Sequence, residues 1–199
     1  MERRKESVGA LTDYVRLAGA LDFTELVVHP ISRDLVPFAD DPTLPRRMRE
    51  AIQRSLDELM PAIEESAVRV TLENLPIPAL ELKSMKELRT LVDPYPSEAV
   101  GLIIDIGHVA RLGLDPVDEI RAAGERLNGT HIHGINLQEG RADHYSPSLG
   151  NLDWDAMRQA FADVGYTGPR TSDVTKPGHG ESPEELAREV RDWLTSWFW

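Results

Sequence analysis

Apolar positions along this chain fall into two alternating spacings. Val8, Leu11, Val15 and Ala18 recur every three or four residues and predict a helix beginning near Ser7. The run TELVVHP that follows reads as a short buried strand stopped by Pro30. Leu44, Met48, Ile52, Leu56, Leu59 and Ile63 mark a long amphipathic helix. VRVTLEN, stopped by Pro76 and Pro78, is a second strand. Ser84 with Glu87 makes a capping box ahead of Met85, Leu88 and Leu91, and AVGLIIDIGH is a third strand. Asp115-Pro116 opens a helix carrying Ile120 and Leu127, and THIHGIN is a fourth strand. Asp153 caps a helix with Trp154, Met157, Phe161 and Val164 inward, closed by Gly165. PRTSDV is the fifth and least apolar strand, and Ser182-Pro183 with Glu185 opens a last helix that runs to Trp193 and Trp197.

Strand–helix alternation repeated in this way predicts a parallel sheet with helical crossovers, either doubly wound or a barrel. No Gly-rich phosphate turn follows a strand, which disfavours a dinucleotide-binding sheet. The chemistry-bearing residues gather where each apolar strand ends: His29, Glu73, Asp105 with His108, His131 with His133, and Asp173. Taken singly, each has a bland reading as a solvated loop carboxylate or a hydrogen-bonded strand-end histidine, and His144 and His179 read as surface residues. The joint pattern is the signal, because active sites of parallel sheets and barrels form at the C-terminal strand edge. Strand alternation places Thr71 with Glu73, His131 with His133, and Thr171 with Asp173 on shared faces. Carboxylates and imidazoles without thiolate suit a divalent ion such as Mn, Mg, Co or Zn.

Composition narrows the classes. A net charge of −12 argues against a nucleic-acid partner. The chain has no cysteine, which removes disulfides and thiolate metal ligands. No apolar run is long enough to span a membrane, and MERRKES lacks an apolar signal segment, so the expected location is the cytoplasm. The 199 residues suit one domain, residues 1–199.

The succession LVVHP, VTLENLP, GLIIDIGH, HIHGIN, DHYSPSLGNLDW and GYTGP resembles the xylose isomerase-like TIM barrels, from about Arg3 to Trp197. That superfamily includes sugar epimerases, inosose dehydratases, hydroxypyruvate isomerases and endonuclease IV. The resemblance implies an α/β fold, an incomplete (β/α) TIM barrel in which five strands are present and the first three are absent. It implies a divalent metal ion held by Glu73, Asp105, His133 and Asp173, with Glu73 and Asp173 also the catalytic acid/base pair. His29, His108, His131 and His144 are then the substrate-binding residues, and the substrate is a small sugar or polyol. The reaction implied is an isomerase- or epimerase-type proton transfer next to a carbonyl.

Two departures from the family pattern stand out. Asp173 occupies the place of a glutamate that is one methylene longer, and the histidine-proline strand, fourth of eight in the family, begins at about residue 24. Five strands cannot close an eight-stranded barrel, so a homo-oligomer covering the open edge is expected, and a start codon internal to a longer gene is a second explanation. Two other functions stay open at this point: a non-catalytic relic or interaction subunit, and an endonuclease IV-like metal phosphodiesterase.

Overall fold

The computed structural model describes residues 2–198. Its main sheet has five parallel strands in the order β1-β2-β3-β4-β7: β1 (Glu25–Val28), β2 (Arg69–Glu73), β3 (Val100–Asp105), β4 (Leu127–Ile132) and β7 (Arg170–Ser172). Helices flank it: α1 (Glu2–Ala20), α2 (Leu44–Ser66), α3 (Met85–Val92), α4 (Ile106–Arg111), α5 (Pro116–Ala123), α6 (Trp154–Asp163) and α7 (Pro183–Phe198). The sheet curls into an incomplete TIM barrel, the expected fold class.

Local chemistry starts and stops most of these elements where the sequence indicates. Ser84 and Glu87 exchange both hydrogen bonds of the capping box. Asp115 accepts from Val117 N–H ahead of Pro116, Asp153 accepts from Ala156 N–H, and Gly165 follows α6 with a left-handed φ of 67°. The α2 helix stops at Ala67, itself left-handed with φ 52°.

Four boundaries differ from expectation. α1 begins at Glu2, because charged residues with good helix propensity continue the helix beyond its apolar stripe. The helix after Asp115 ends at Ala123, so Leu127 opens β4 instead of belonging to the helix. The third strand stops at Asp105, and Ile106-Gly107-His108 starts α4. THIHGIN is two strands, β4 and β5 (Gly134–Asn136); the latter pairs antiparallel with β6 (Arg141–Tyr145) in a separate hairpin.

Alternation along the strands sorts the interior. Val70 and Leu72, Leu102 and Ile104, and Ile132 meet Leu59, Ile63, Leu88, Leu91, Ile120, Met157 and Phe161 of the helices in one apolar cluster. The intervening residues, Thr71, Glu73, Ile103, Asp105 and His131, face the concave side. Burial falls outward from the centre: every residue of β3 is buried, whereas all three of β7 are exposed. Accordingly, Ile104→Ala in β3 is expected to cost about 3 kcal/mol of stability and Val27→Ala in β1 less than about 1 kcal/mol. Urea denaturation of both variants checks this, and equal losses would mean that β1 is not a solvent-facing edge.

Candidate metal centre

Register brings the polar residues together. Val28 pairs with Leu72, Glu73 with Ile103, Asp105 with His131, and His131 with Thr171. An irregularity between Leu102 and Ile103 shifts β4 along β3, and it sets His131 directly beside Asp105. Asp173 follows β7 immediately, and its N–H bonds the carbonyl of Ile132.

Asp105 is fully buried. Its Oδ1 accepts from the backbone N–H of His108 at 2.7 Å, which caps α4, and from His133 Nε2–H at 3.0 Å. Its own backbone is held on both sides by Asn74, whose Oδ1 accepts from Asp105 N–H and whose Nδ2 donates to Asp105 O. Its Oδ2 is buried with no hydrogen-bond partner. His131 Nδ1 is likewise buried and without a hydrogen-bond partner, 4.0 Å from Asp105 Oδ2 and 3.3 Å from Glu73 Oε1. Asp105 Oδ2, which also lies 3.5 Å from His108 Nδ1, and the His131 ring nitrogen that faces Glu73 are a carboxylate oxygen and an imidazole of the kinds that hold a divalent cation.

Glu73 stands among three imidazoles. Its Oε2 accepts from His29 Nε2–H at 3.1 Å, and its Oε1 lies 3.4 Å from His108 Nδ1. Burial alone would raise its pKa, but His108, His131 and His29 hold the carboxyl far below the usual carboxylate range. The imidazoles respond in the opposite sense. His29 is raised above 6.5 chiefly by its bond to Glu73. In His131 and His133, burial pushes the pKa down, and the neighbouring carboxylates, Glu73 for the first and Asp105 for the second, more than reverse it.

The remaining histidines form a second tier. His108 Nδ1–H donates to Asn74 O at 3.0 Å. His133 Nδ1 accepts from His144 N–H at 2.9 Å, and His144 Nδ1–H donates to Asp173 O. A Cβ at Gly107 would lie 1.8 Å from His133 Cε1, so only glycine lets this ring reach Asp105.

All eight residues expected at the site gather at one end of the sheet. Seven of them, all but His29, fall into overlapping groups whose ligand atoms lie within 4.8 Å of one another: Glu73, Asp105 and His108; Asp105, His131 and Asp173; and His108, His133 and His144. Neither the expected quartet with His133 nor the same quartet with His131 in its place forms one such group among the described residues. A pocket of about 790 Å³ opens above them, lined by His29, Glu73, His108, His131, His144 and Asp173 among others, a size that suits a small polar ligand. Sequence reasoning missed Asn74 and Gly107. The only signal for Asn74 was its place after Glu73, and for Gly107 its place inside Asp-x-x-His.

The family model for the xylose isomerase-like TIM barrel matches residues 1–197. The uncharacterised protein y4fM of Sinorhizobium fredii is 30% identical over 168 residues, 84% of this chain and 52% of that protein. D-psicose 3-epimerase of Enterocloster bolteae is 30% identical over 116 residues, 58% of this chain and 36% of that enzyme. Among solved structures, the IolI protein with a bound zinc atom superposes with a TM-score of 0.82 at 16% identity, covering 100% of this chain and 71% of that one. The chain thus spans about half the length, or less, of these sequence relatives. No helix among the described residues is long and apolar enough to cross a membrane. The fold and the match over residues 1–197 agree, and the chain belongs to the xylose isomerase-like TIM barrel family.

Proposed function

We propose that this chain is a metal-dependent sugar isomerase or epimerase that moves a proton next to the carbonyl of a small keto-sugar or polyol. The observation carrying the reading is the buried pair Asp105 Oδ2 and His131 Nδ1, neither making a hydrogen bond, beside a pocket that Glu73, His131 and Asp173 line. Similarity to D-psicose 3-epimerase supports the substrate class.

The ligands we propose are Glu73, Asp105, His131 and Asp173. His133 is the family-implied ligand, but both its ring nitrogens are engaged by Asp105 and His144, so here it orients Asp105. A bound divalent ion supplies Lewis-acid stabilisation of charge developing on the carbonyl oxygen. Glu73, ionised at neutral pH, accepts the proton from carbon while His29 steadies its Oε2. Asp173 would have to enter the step in its acid form to give its own proton to the resulting enediolate, so that the step ends with Glu73 protonated and Asp173 ionised; His144, with Nδ1 3.3 Å from Asp173 Oδ2, steadies that carboxylate.

A second reading, a phosphodiesterase using more than one ion, draws on the cluster of His108, His133 and His144. The net charge of −12 opposes a nucleic-acid substrate. DNA retention at low salt would favour this alternative.

Calorimetry with Mn²⁺ or Zn²⁺ tests the ligand assignment. His131→Ala is expected to abolish binding, and His133→Ala to weaken it roughly 10- to 100-fold. The reverse order would return His133 to the inner ligand set, and no binding by the wild-type chain would remove the metal reading.

The pH dependence has opposite signs with and without ion. The imidazoles are raised above 6.5, so their contribution to stability is present below that pH and is lost as pH rises through their folded pKa values. The Glu73 contribution is present above its ordinary 4.5 and is lost only in stronger acid. The metal-free protein should therefore be most stable in mild acid, and ion affinity should climb as pH rises past neutrality and the imidazoles release protons. Thermal melts and titrations from pH 5 to 8 check both trends.

Activity probes the shortened carboxylate. Asp173→Glu is expected to raise ketose epimerisation several-fold, assayed with the metal-loaded protein. Unchanged turnover with intact ion binding would place the limitation elsewhere than in the reach of this side chain.

A further inference from the structure

Among the described residues of the site, His144 alone has a left-handed backbone. Its φ is 58°, a region that residues carrying a Cβ seldom enter. Such a conformation persists where the surroundings over-determine it, and the hydrogen bonds of His144 do so. Its N–H donates to His133 Nδ1 at 2.9 Å. Its carbonyl accepts from the N–H groups of Thr175 and Lys176, each at 3.0 Å. Its ring donates from Nδ1 to Asp173 O at 2.9 Å. Two residues on, the buried Ser146 donates its hydroxyl to Glu189 of α7 at 2.7 Å, which anchors the end of β6.

We propose that His144 is a positioning residue whose backbone selects the tautomer of His133. A backbone N–H can only donate, so the His133 nitrogen that faces it offers a lone pair. The neutral ring then carries its proton on Nε2, 3.0 Å from Asp105 Oδ1, and donates it there. The opposite tautomer would set one N–H against another and a lone pair against a carboxylate oxygen. Gly134 O, the acceptor that favours that tautomer, lies 3.4 Å from Nδ1, beyond the usual N–H···O distance. With Oδ1 of Asp105 answered by His133 and by the His108 N–H, Oδ2 is the oxygen left without a hydrogen bond. The consequence for a cation rests on the metal-binding function proposed for this site: through His133, the His144 backbone keeps Asp105 aimed at the ion.

The His144 ring also lines the pocket, so the test must separate ring from backbone. Glycine, alanine and valine at position 144 all lack the ring and differ in how readily they take a left-handed φ. Nitrogen-15 spectra of the imidazoles in the metal-free protein at alkaline pH read the tautomer, with His133 assigned through His133→Gln. The wild-type chain and His144→Gly should show His133 protonated at Nε2 and bare at Nδ1, whereas His144→Val should show a mixture. Calorimetry should find Zn²⁺ affinity roughly ten-fold lower in His144→Val than in His144→Gly. If the valine variant does not fold, His144→Ala takes its place in the comparison, with a smaller loss in the same direction. A wild-type His133 protonated at Nδ1 would overturn the proposal, as would one tautomer and one affinity shared by all the folded variants. A tautomer that follows the series in a chain that binds no Zn²⁺ would support the backbone assignment and remove the metal reading alone.

Discussion

A carboxylate shut away from water must have each oxygen answered, and Asp105 sets the terms for everything around it. Its Oδ1 consumes two donors, the His108 N–H and the His133 ring, and Asn74 clamps its backbone from the neighbouring strand end. The first of those bonds forces β3 to turn into α4 at Ile106, because the same side chain is the cap. The second forces Gly107, since any side chain there would block the His133 ring. The shift in register between β3 and β4 then delivers His131 to the unanswered oxygen. One buried anion thus fixes a strand end, a helix start, a glycine and the alignment of two strands.

That arrangement sits where the sheet is most rigid. β3 is buried along its whole length, whereas β1 is partly exposed and β7 is exposed throughout. The residues placed deepest, Asp105 and His133, come from β3 and the end of β4. Those that line the pocket, His29 and Asp173, come from the outer strands β1 and β7. His29 is 59% exposed at its side chain, so its hold on Glu73 is the more solvent-screened contact of the site. The graded burial suits a centre whose ligands must be preorganised and whose substrate-facing groups must meet solvent and ligand in turn.

Much of this was legible in the sequence, for identifiable reasons. Strand and helix positions rest on local rules, and the Ser84–Glu87 box and the Asp153 cap needed no tertiary information. The gathering of His29, Glu73, Asp105, His131 and Asp173 followed from their shared place at strand ends, which parallel pairing converts into proximity. What escaped depends on long-range partners. Asp105 as a cap for α4 was hidden because IGH continues an apolar run, and the β5–β6 hairpin was hidden because its pairing is with residues 141–145. His131 and His133 share a face and a chemistry; only register and hydrogen bonds distinguish the ring beside the vacant oxygen from the ring that braces Asp105. Asn74 stands in the Leu-Glu-Asn segment, but its role has no sequence signature until the β3–α4 corner is placed against it.

The electrostatics of the cluster tie these pieces to function. Glu73 and Asp105 are held close enough that, without a cation, their charge must be met from within the protein, and the raised pKa values of His29, His131 and His133 show how it is met. In the metal-binding reading proposed above, a divalent ion would take over the electrostatic role of these imidazole protons. Three imidazoles outweigh the burial of Glu73 and hold its carboxyl below the usual carboxylate range. Under that reading, His131, which helps to stabilise the metal-free cluster, is also the ligand through which cation affinity depends on pH.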